Sequence, residues 1–316
     1  MALLETNRLV KRFGKFTALN DINIEVNEGE IYGFIGPNGA GKSTTIKILL
    51  GILKATSGEA SLFGRDAWKD AVDIHKKIAY VPGDVNLWPN LTGGEILDLF
   101  ARLRGTADKK RTKELLEKFN LDPSKKSRTY SKGNRQKVAL VSAFSSDAEL
   151  FILDEPTSGL DPLMEIVFQE CVLQAKNQGK SVLLSSHILS EVEKLCDRVG
   201  IIRQGEIIET GSLAELRYLT RTQLVFQTSN SVPDLEGQKG VHDLKANGGI
   251  ISLKADAEDL GAILQYVSQF GIIKLESMPP TLEELFMRHY EASPDHGGKS
   301  RRGTEWERDY SAGQGF

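Results

Sequence analysis

The chain has 316 residues, of which 40% are hydrophobic and 26% charged; this describes a soluble globular protein large enough for one big domain and a smaller one. A net charge of −3 gives no pull toward nucleic acid, and no nucleic-acid partner is expected. The two cysteines, Cys171 and Cys196, lack metal-ligand spacing and read as reduced thiols, "MALLETNRLVKRFGK" lacks the apolar stretch of a signal peptide, and no run reaches the roughly 18 apolar residues of a membrane span, so any membrane part belongs to another chain.

In chain order, "LNDINIEV" alternates like a half-buried strand and "EIYGFIG" is a strand ending in glycine. "GAGKSTTIKILLGIL" predicts a helix with Ile46, Leu49, Leu50 and Leu53 on one stripe. A short strand, "KIAYVP", stops at Pro82. From Leu91 to about Val141 the period is helical, with Ile96, Leu99, Phe100 and Leu103 sharing a face and Thr92 with Glu95 in capping-box form. There follow a strand "LFILDE", a helix "LMEIVFQECVLQAKNQG", a strand "SVLLSSH", a helix "ILSEVEKLCD" and a hairpin "RVGIIRQGEIIETG". This alternation predicts an α/β fold with a parallel sheet, interrupted by an inserted helical subdomain over about 84–145.

After residue 217 the character changes. "QLVFQTS", "GVHDLKA", "GIISLKA" and "GIIKLESM" are short strands, "NGG" at 247–249 is a hairpin turn, and "AEDLGAILQYVSQF" and "TLEELFMRHY" are amphipathic helices. Residues 218–290 are expected to form a small α+β accessory domain. Residues 291–316, rich in glycine, serine and charge, are expected to be a disordered tail.

The chemistry begins at "GPNGAGKST", Gly36, Pro37, Asn38, Gly39, Ala40, Gly41, Lys42, Ser43 and Thr44, which fits a phosphate-binding loop between a strand and a helix. Glycines let backbone N–H groups turn toward anionic oxygens, and the helix N-terminus adds partial positive charge. Lys42 supplies a point charge for the β and γ phosphates of a nucleotide, and Ser43 a ligand for Mg²⁺. In "ELFILDEPTSGLDP", Asp154 and Glu155 stand side by side at the end of a buried run, where charges are costly unless paired. Asp154, at the end of a neighbouring strand, suits Mg²⁺, directly or through water; Glu155 suits a general base or a positioner of the attacking water. In "YSKGNRQKVAL", Ser131, Gly133 and Asn134 gather small polar groups at a further helix N-terminus.

Taken in order, these motifs resemble those of the ATP-binding subunits of ABC transporters, over residues 3 to about 217. "GPNGAGKST" is similar to Walker A, "YSKGNRQK" to the signature loop with Asn134 in place of glutamine, and "LFILDEP" to Walker B. "SGLDP" is similar to the D-loop, His187 after "VLLSS" to the switch histidine, and Phe13 in "KRFGKFTAL" to the aromatic that stacks on adenine. The resemblance implies a P-loop NTPase core with an ABC-type β subdomain and an inserted helical subdomain. It implies ATP and Mg²⁺, and a second copy of the chain facing head to tail. Ser131, Gly133 and Asn134 would then meet the partner's ATP, Asp161 would contact the opposite subunit, and Glu155 and His187 would act in hydrolysis.

It also implies a separate integral-membrane permease and a place on the inner face of the cell membrane. "PPTLEELFMRHY" resembles the end of drug- and lipid-export subunits, so export is the first expectation. An importer subunit is the second, and a soluble ATPase acting on ribosomes or DNA, a kind that usually carries two motif sets in one chain, is the third. One departure stands out: Gly83 sits where the family has a glutamine. Asp84, next to it, either takes over as a Mg²⁺ or water partner or is a turn acid. Leu87, Trp88 and Leu91 either line the cleft for a permease helix or pack within the helical subdomain.

Overall fold

The computed structural model describes residues 2–105, 108–218 and 221–278; "PPTLEELFMRHY" and the expected tail lie outside the described residues. The chain opens with an antiparallel pair, β1 (Ala2–Phe13) and β2 (Phe16–Asn27), then a buried strand β3 (Ile31–Ile35) and helix α1 (Lys42–Leu49). Strands β4 (Ser57–Leu62) and β5 (Arg65–Asp66) return to β1, giving a sheet in the order β2-β1-β4-β5. The helix α1 ends earlier than the periodicity predicts. Gly51, at φ 63°, turns the chain there, and a Cβ on it would lie 2.6 Å from the Ala67 carbonyl oxygen.

After α2 (Ala71–His75) and β6 (Ile78–Val81) come the inserted helices α3 (Gly93–Arg104), α4 (Lys109–Lys118) and α5 (Lys132–Phe144). The Thr92–Glu95 capping box is present at the start of α3. The alternation then resumes with β7 (Leu150–Asp154), α6 (Pro162–Asn177), β8 (Ser181–Ser186), α7 (Leu189–Leu195), β9 (Arg198–Arg203) and β10 (Glu206–Ser212). These complete a six-stranded sheet in the order β10-β9-β3-β8-β7-β6, parallel except for the β9–β10 hairpin.

Every residue of β3, β7 and β8 is buried, as central parallel strands covered on both faces must be. Along β7 the side chains alternate between two cores. Phe151 and Leu153 pack with Val138, Val141 and Phe168 under the helices α5 and α6. Leu150 and Ile152 pack with Ile46 and Leu49 of α1 and with Phe34. Each such side chain contributes about 1.5–3 kcal/mol by leaving water.

Past α8 (Leu213–Tyr218) lies a separate antiparallel sheet of β11 (Thr222–Thr228), β12 (Val241–Asn247), β13 (Ile250–Ala255) and β14 (Ile272–Met278), in the order β12-β13-β11-β14. The predicted "NGG" hairpin is there, with Gly248 and Gly249 at φ 58° and 85°. Helix α9 (Leu260–Ser268) sets Ile263 and Val267 against Leu224, Phe226 and Leu253, a core of its own.

Candidate functional site

The parallel sheet brings the ends of β3, β8, β7 and β6 side by side, in that order. Ligands of open α/β sheets bind at such carboxyl ends. The loop after β3 is the phosphate cradle, Asp154 and Glu155 close β7, His187 follows β8, and Gly83 and Asp84 follow β6. The sequence reading put Asp154 on the strand next to the cradle. The structure inserts β8 between them, so His187 follows the strand adjacent to β3. Local patterns identify strands but carry no strand order, which is the source of the difference.

Gly39 and Gly41 hold φ values of 80° and 118°, conformations that favour glycine. A Cβ on Gly36 would lie 2.3 Å from the Ile202 carbonyl oxygen, so the loop is seated directly on β9. Within this loop Ala40 is buried, while Asn38 and Ser43 are exposed and Thr44 is half-buried. The Lys42 ammonium is buried and donates to the carbonyl oxygens of Gly36 at 2.6 Å and Pro37 at 3.3 Å. Its Nζ lies 3.4 Å from Glu155 Oε1. Burial lowers its pKa, and the Glu155 charge opposes that shift.

Asp154 is buried and accepts a hydrogen bond from Ser185 Oγ at 2.9 Å. Burial first, and the Asp154 charge second, push the Tyr80 phenol up to about 12. Glu155 has φ 48°, the left-handed region, which for a residue with a side chain costs of order 1–3 kcal/mol and persists where the surroundings fix it. Its N–H donates to the Ser185 carbonyl at 2.9 Å. Its Oε2 lies 3.4 Å from His187 Nδ1, an atom shut away from solvent with no hydrogen-bond partner. The His187 contact foremost, with Lys42 adding its charge, holds the Glu155 carboxyl down to about 2 against an opposing desolvation.

Ser131 caps α5, accepting from Asn134 N at 3.2 Å. A Cβ on Gly133 would meet the Gly159 carbonyl oxygen at 2.3 Å, so only glycine lets α5 approach the loop after Glu155 this closely. Lys132 Nζ donates to Ser158 Oγ at 2.7 Å across the same contact. Asp161 caps α6, accepting from Met164 N at 3.1 Å, with Pro162 in the first turn. Phe13 is half exposed at 49%, pairs with Phe16 across the β1–β2 hairpin, and has Lys11 Nζ 5.0 Å from its ring.

Asp84 is exposed, while Gly83 abuts the acid strand: a Cβ there would lie 3.1 Å from the Asp154 carbonyl oxygen. Trp88 is exposed with its ring 6.0 Å from that of Phe100, and Leu87 and Leu91 pack against the core under α3 and α5. Cys171 and Cys196 are buried free thiols.

Two residues of this region escaped the sequence reading. Gln136 is fully buried on α5, and Glu191 is buried on α7, where it accepts from Ser186 Oγ at 2.8 Å. Burial pushes the Glu191 carboxyl up to about 7, with the Ser186 hydrogen bond opposing. Their signal is spacing: Gln136 stands four residues before Leu140 and Glu191 four before Leu195, each on the stripe that faces the core.

Residues 19–158 match the family model described as ABC transporter, and residues 211–290 match the one described as ATP-binding protein DrrA1-3-like, C-terminal domain. The chain is similar to the bacitracin transport ATP-binding protein BcrA of Bacillus licheniformis, 34% identical over 295 residues, covering 90% of this chain and 96% of BcrA. It is similar to the linearmycin resistance ATP-binding protein LnrL of Bacillus subtilis, 37% identical over 219 residues, covering 68% of this chain and 70% of LnrL. Its fold resembles the dimeric post-hydrolysis structure of the ATP-binding cassette MJ0796 bound to ADP and Pi, with a TM-score of 0.61 and 25% identity over 66% of this chain and 98% of that one.

Proposed function

The chain belongs to the family of ABC transporter ATP-binding proteins, and we propose that it works as a self-paired ATPase that powers export of an antibiotic-like amphiphile through a separate membrane permease. The observation that carries the hydrolytic part is the meeting of Lys42, Glu155 and His187, with Lys42 and His187 each 3.4 Å from the Glu155 carboxylate.

Lys42 meets a nucleotide's γ phosphate in place of Glu155. With its ammonium taken up there, one of the charges holding Glu155 down is withdrawn, and the carboxylate becomes a better proton acceptor. The attacking water bonds to the γ phosphorus as the bridging P–O bond to the β phosphate breaks, and Glu155 accepts the proton that water releases. The His187 ring, partly exposed beside Glu155, binds a phosphate oxygen or the water and keeps them in line. Phe13 supplies a half-exposed ring for the adenine.

Among the described residues no group of three or more His, Cys, Asp or Glu could hold a metal by itself. Mg²⁺ binds through a carboxylate, a hydroxyl and the substrate's own phosphates; Asp154 and Ser43 are the residues that would hold it, Asp84 is a further candidate, and the ion would neutralise phosphate charge.

The partner copy's nucleotide is received at the α5 N-terminus by Ser131, Gly133 and Asn134, while Asp161 holds the start of α6 at the same interface. The dimeric form of the related MJ0796 cassette supports this pairing. Export is supported by relatives named for bacitracin transport and linearmycin resistance. No helix among the described residues is long and apolar enough to cross a membrane, and in this reading the permease provides the path. Residues 218–290 form an accessory domain in the same reading.

The test is Glu155→Gln. Hydrolysis should fall by about 100- to 10,000-fold, ATP binding should persist, and ATP should shift the variant to a dimer on size exclusion. Purified with ATP from detergent-solubilised membranes of its host, it should bring down a polytopic membrane protein. Hydrolysis at the wild-type rate would remove Glu155 from the mechanism, and ribosomal or DNA-bound partners without a membrane protein would overturn the transport role.

A further inference from the structure

Gln136 lies on α5, close behind the Ser131 cap, with its side chain fully buried. Its Nε2 donates to the Pro82 carbonyl at 3.3 Å and to the Pro156 carbonyl at 3.0 Å. Pro82 opens the Gly83–Asp84 loop, and Pro156 directly follows Glu155. One amide group therefore joins three things: the helix that begins at the signature loop, the loop after β6, and the residue after Glu155. Two carbonyl oxygens at one end of the amide fix its orientation, because only the NH₂ end can face them. The other end, Oε1, is buried with no partner. An unsatisfied buried acceptor costs about 1–3 kcal/mol, while the NH₂ end supplies the donors that the Pro82 and Pro156 carbonyls accept.

The joint it grips is a strained one. Glu155 sits at φ 48°, and such a conformation lasts only where neighbours over-determine it. Glu155 itself is held by the Ser185 carbonyl, Lys42 and His187, and the residues just after it by the start of α5: Gln136 on Pro156, Lys132 on Ser158, and Gly133 against Gly159.

We propose that Gln136 is a positioning residue for hydrolysis, an amide clasp that ties the reach of the Glu155 carboxylate to the positions of α5 and of the Gly83–Asp84 loop. It rests on the reading of Glu155 as the hydrolytic carboxylate and adds how that carboxylate is governed. A partner's nucleotide pulling on the α5 N-terminus is passed to Glu155 by this amide, next to the Lys132–Ser158 and Gly133–Gly159 contacts. A displacement of the loop after β6 reaches Glu155 by the same amide.

The first experiment is Gln136→Met, which keeps length and apolar volume and removes both donors and the orphaned acceptor. Tm should fall modestly, because the Pro82 and Pro156 carbonyls lose this donor; KM for ATP should stay within about twofold, and kcat should fall about ten- to a hundred-fold, the range for a misplaced catalytic group. Added to Glu155→Gln it should cost nothing further, since Gln136 acts through Glu155. An unchanged kcat overturns the proposal, as does a lowered Tm with kcat intact.

The second experiment uses the wild-type chain and does not depend on a variant folding. Exchange of the Gln136 side-chain NH₂ protons with solvent, followed by NMR, should be slowed about tenfold or more relative to a free glutamine amide, as for a buried, bonded donor. Exchange at the free rate overturns the clasp. Normal hydrolysis by Glu155→Gln would instead sink the reading of Glu155 while leaving the amide protected, so the two failures are distinguishable.

Discussion

The phosphate end of the six-stranded sheet and the sheet of β11 to β14 treat charge in opposite ways. Around the former the protein buries Lys42, Asp154 and Glu191, together with Gln136, Ser185 and Ser186. In the latter, among the described residues, the buried set is entirely apolar: Leu224, Phe226, Leu235, Leu253, Ala255, Ile263 and Val267. Its charges pair toward the surface instead, with Asp256 taking His242 at 2.8 Å and Arg221 at 2.9 Å. Burying a charge or an unpaired polar group is costly. The first region therefore gives up stability for chemistry, and the second is held by plain packing. If this is right, the two should fail in different ways when perturbed.

The largest stability effect is expected at Phe226, which is buried at the centre of the small core. Phe226→Ala should destabilise that sheet by about 3–5 kcal/mol. Chemical denaturation should show an earlier transition for residues beyond 217, while nucleotide affinity at the P-loop stays unchanged. A parallel loss of affinity would mean the two regions are not independent.

Next come the two carboxylates, whose pH dependences have opposite signs. Burial raises the Glu191 carboxyl to about 7 in the folded chain. Its contribution to stability is therefore complete below the ordinary carboxylate range and is lost as pH rises through about 7. Glu191→Gln should match the wild type below the ordinary carboxylate range, and exceed it increasingly as pH rises toward about 7 and above, by up to about 3 kcal/mol, read as Tm against pH. Glu155 runs the other way, being held down to about 2, chiefly by His187. Its contribution is present above the ordinary carboxylate range and lost as pH falls toward 2. Two Tm profiles that bent in the same direction would break the contrast between an acid governed by burial and one governed by its His187 and Lys42 contacts.

Much of this was legible in the sequence, and the reasons for the exceptions are physical. The cradle, Asp154, Glu155 and His187 each stand at the end of a run of apolar residues, and a run ending in charge or glycine is a local signal. The strand β1 was not read, because its alternation breaks where Arg8 takes φ 46° and the register shifts between Thr6 and Leu9. The placing of β8 between β3 and β7 is a tertiary fact with no local trace. Gln136 and Glu191 look like surface residues by type, and only their place on the buried stripe betrays them. The capping box at Thr92 and the hairpin at Gly248, by contrast, depend on neighbours in the chain and appeared as read.

The smallest effects should lie where the family's glutamine is missing. Asp84 is exposed, so Asp84→Ala should change stability by no more than about 0.5 kcal/mol. Its use is therefore tested by kinetics alone. If the carboxylate replaces the glutamine, kcat falls and the Mg²⁺ concentration for half-maximal rate rises; if both are unchanged, it is a turn acid. Gly83→Ala is the companion experiment, because its Cβ would come within 3.1 Å of the Asp154 carbonyl and 3.5 Å of Glu155 Cβ. That contact requires a small shift of the strand end that carries both acids. A loss of turnover in Gly83→Ala with none in Asp84→Ala would assign the loop's influence to backbone contact with β7. The reverse would assign it to the Asp84 charge, and would extend the region of functional charge one loop further along the sheet.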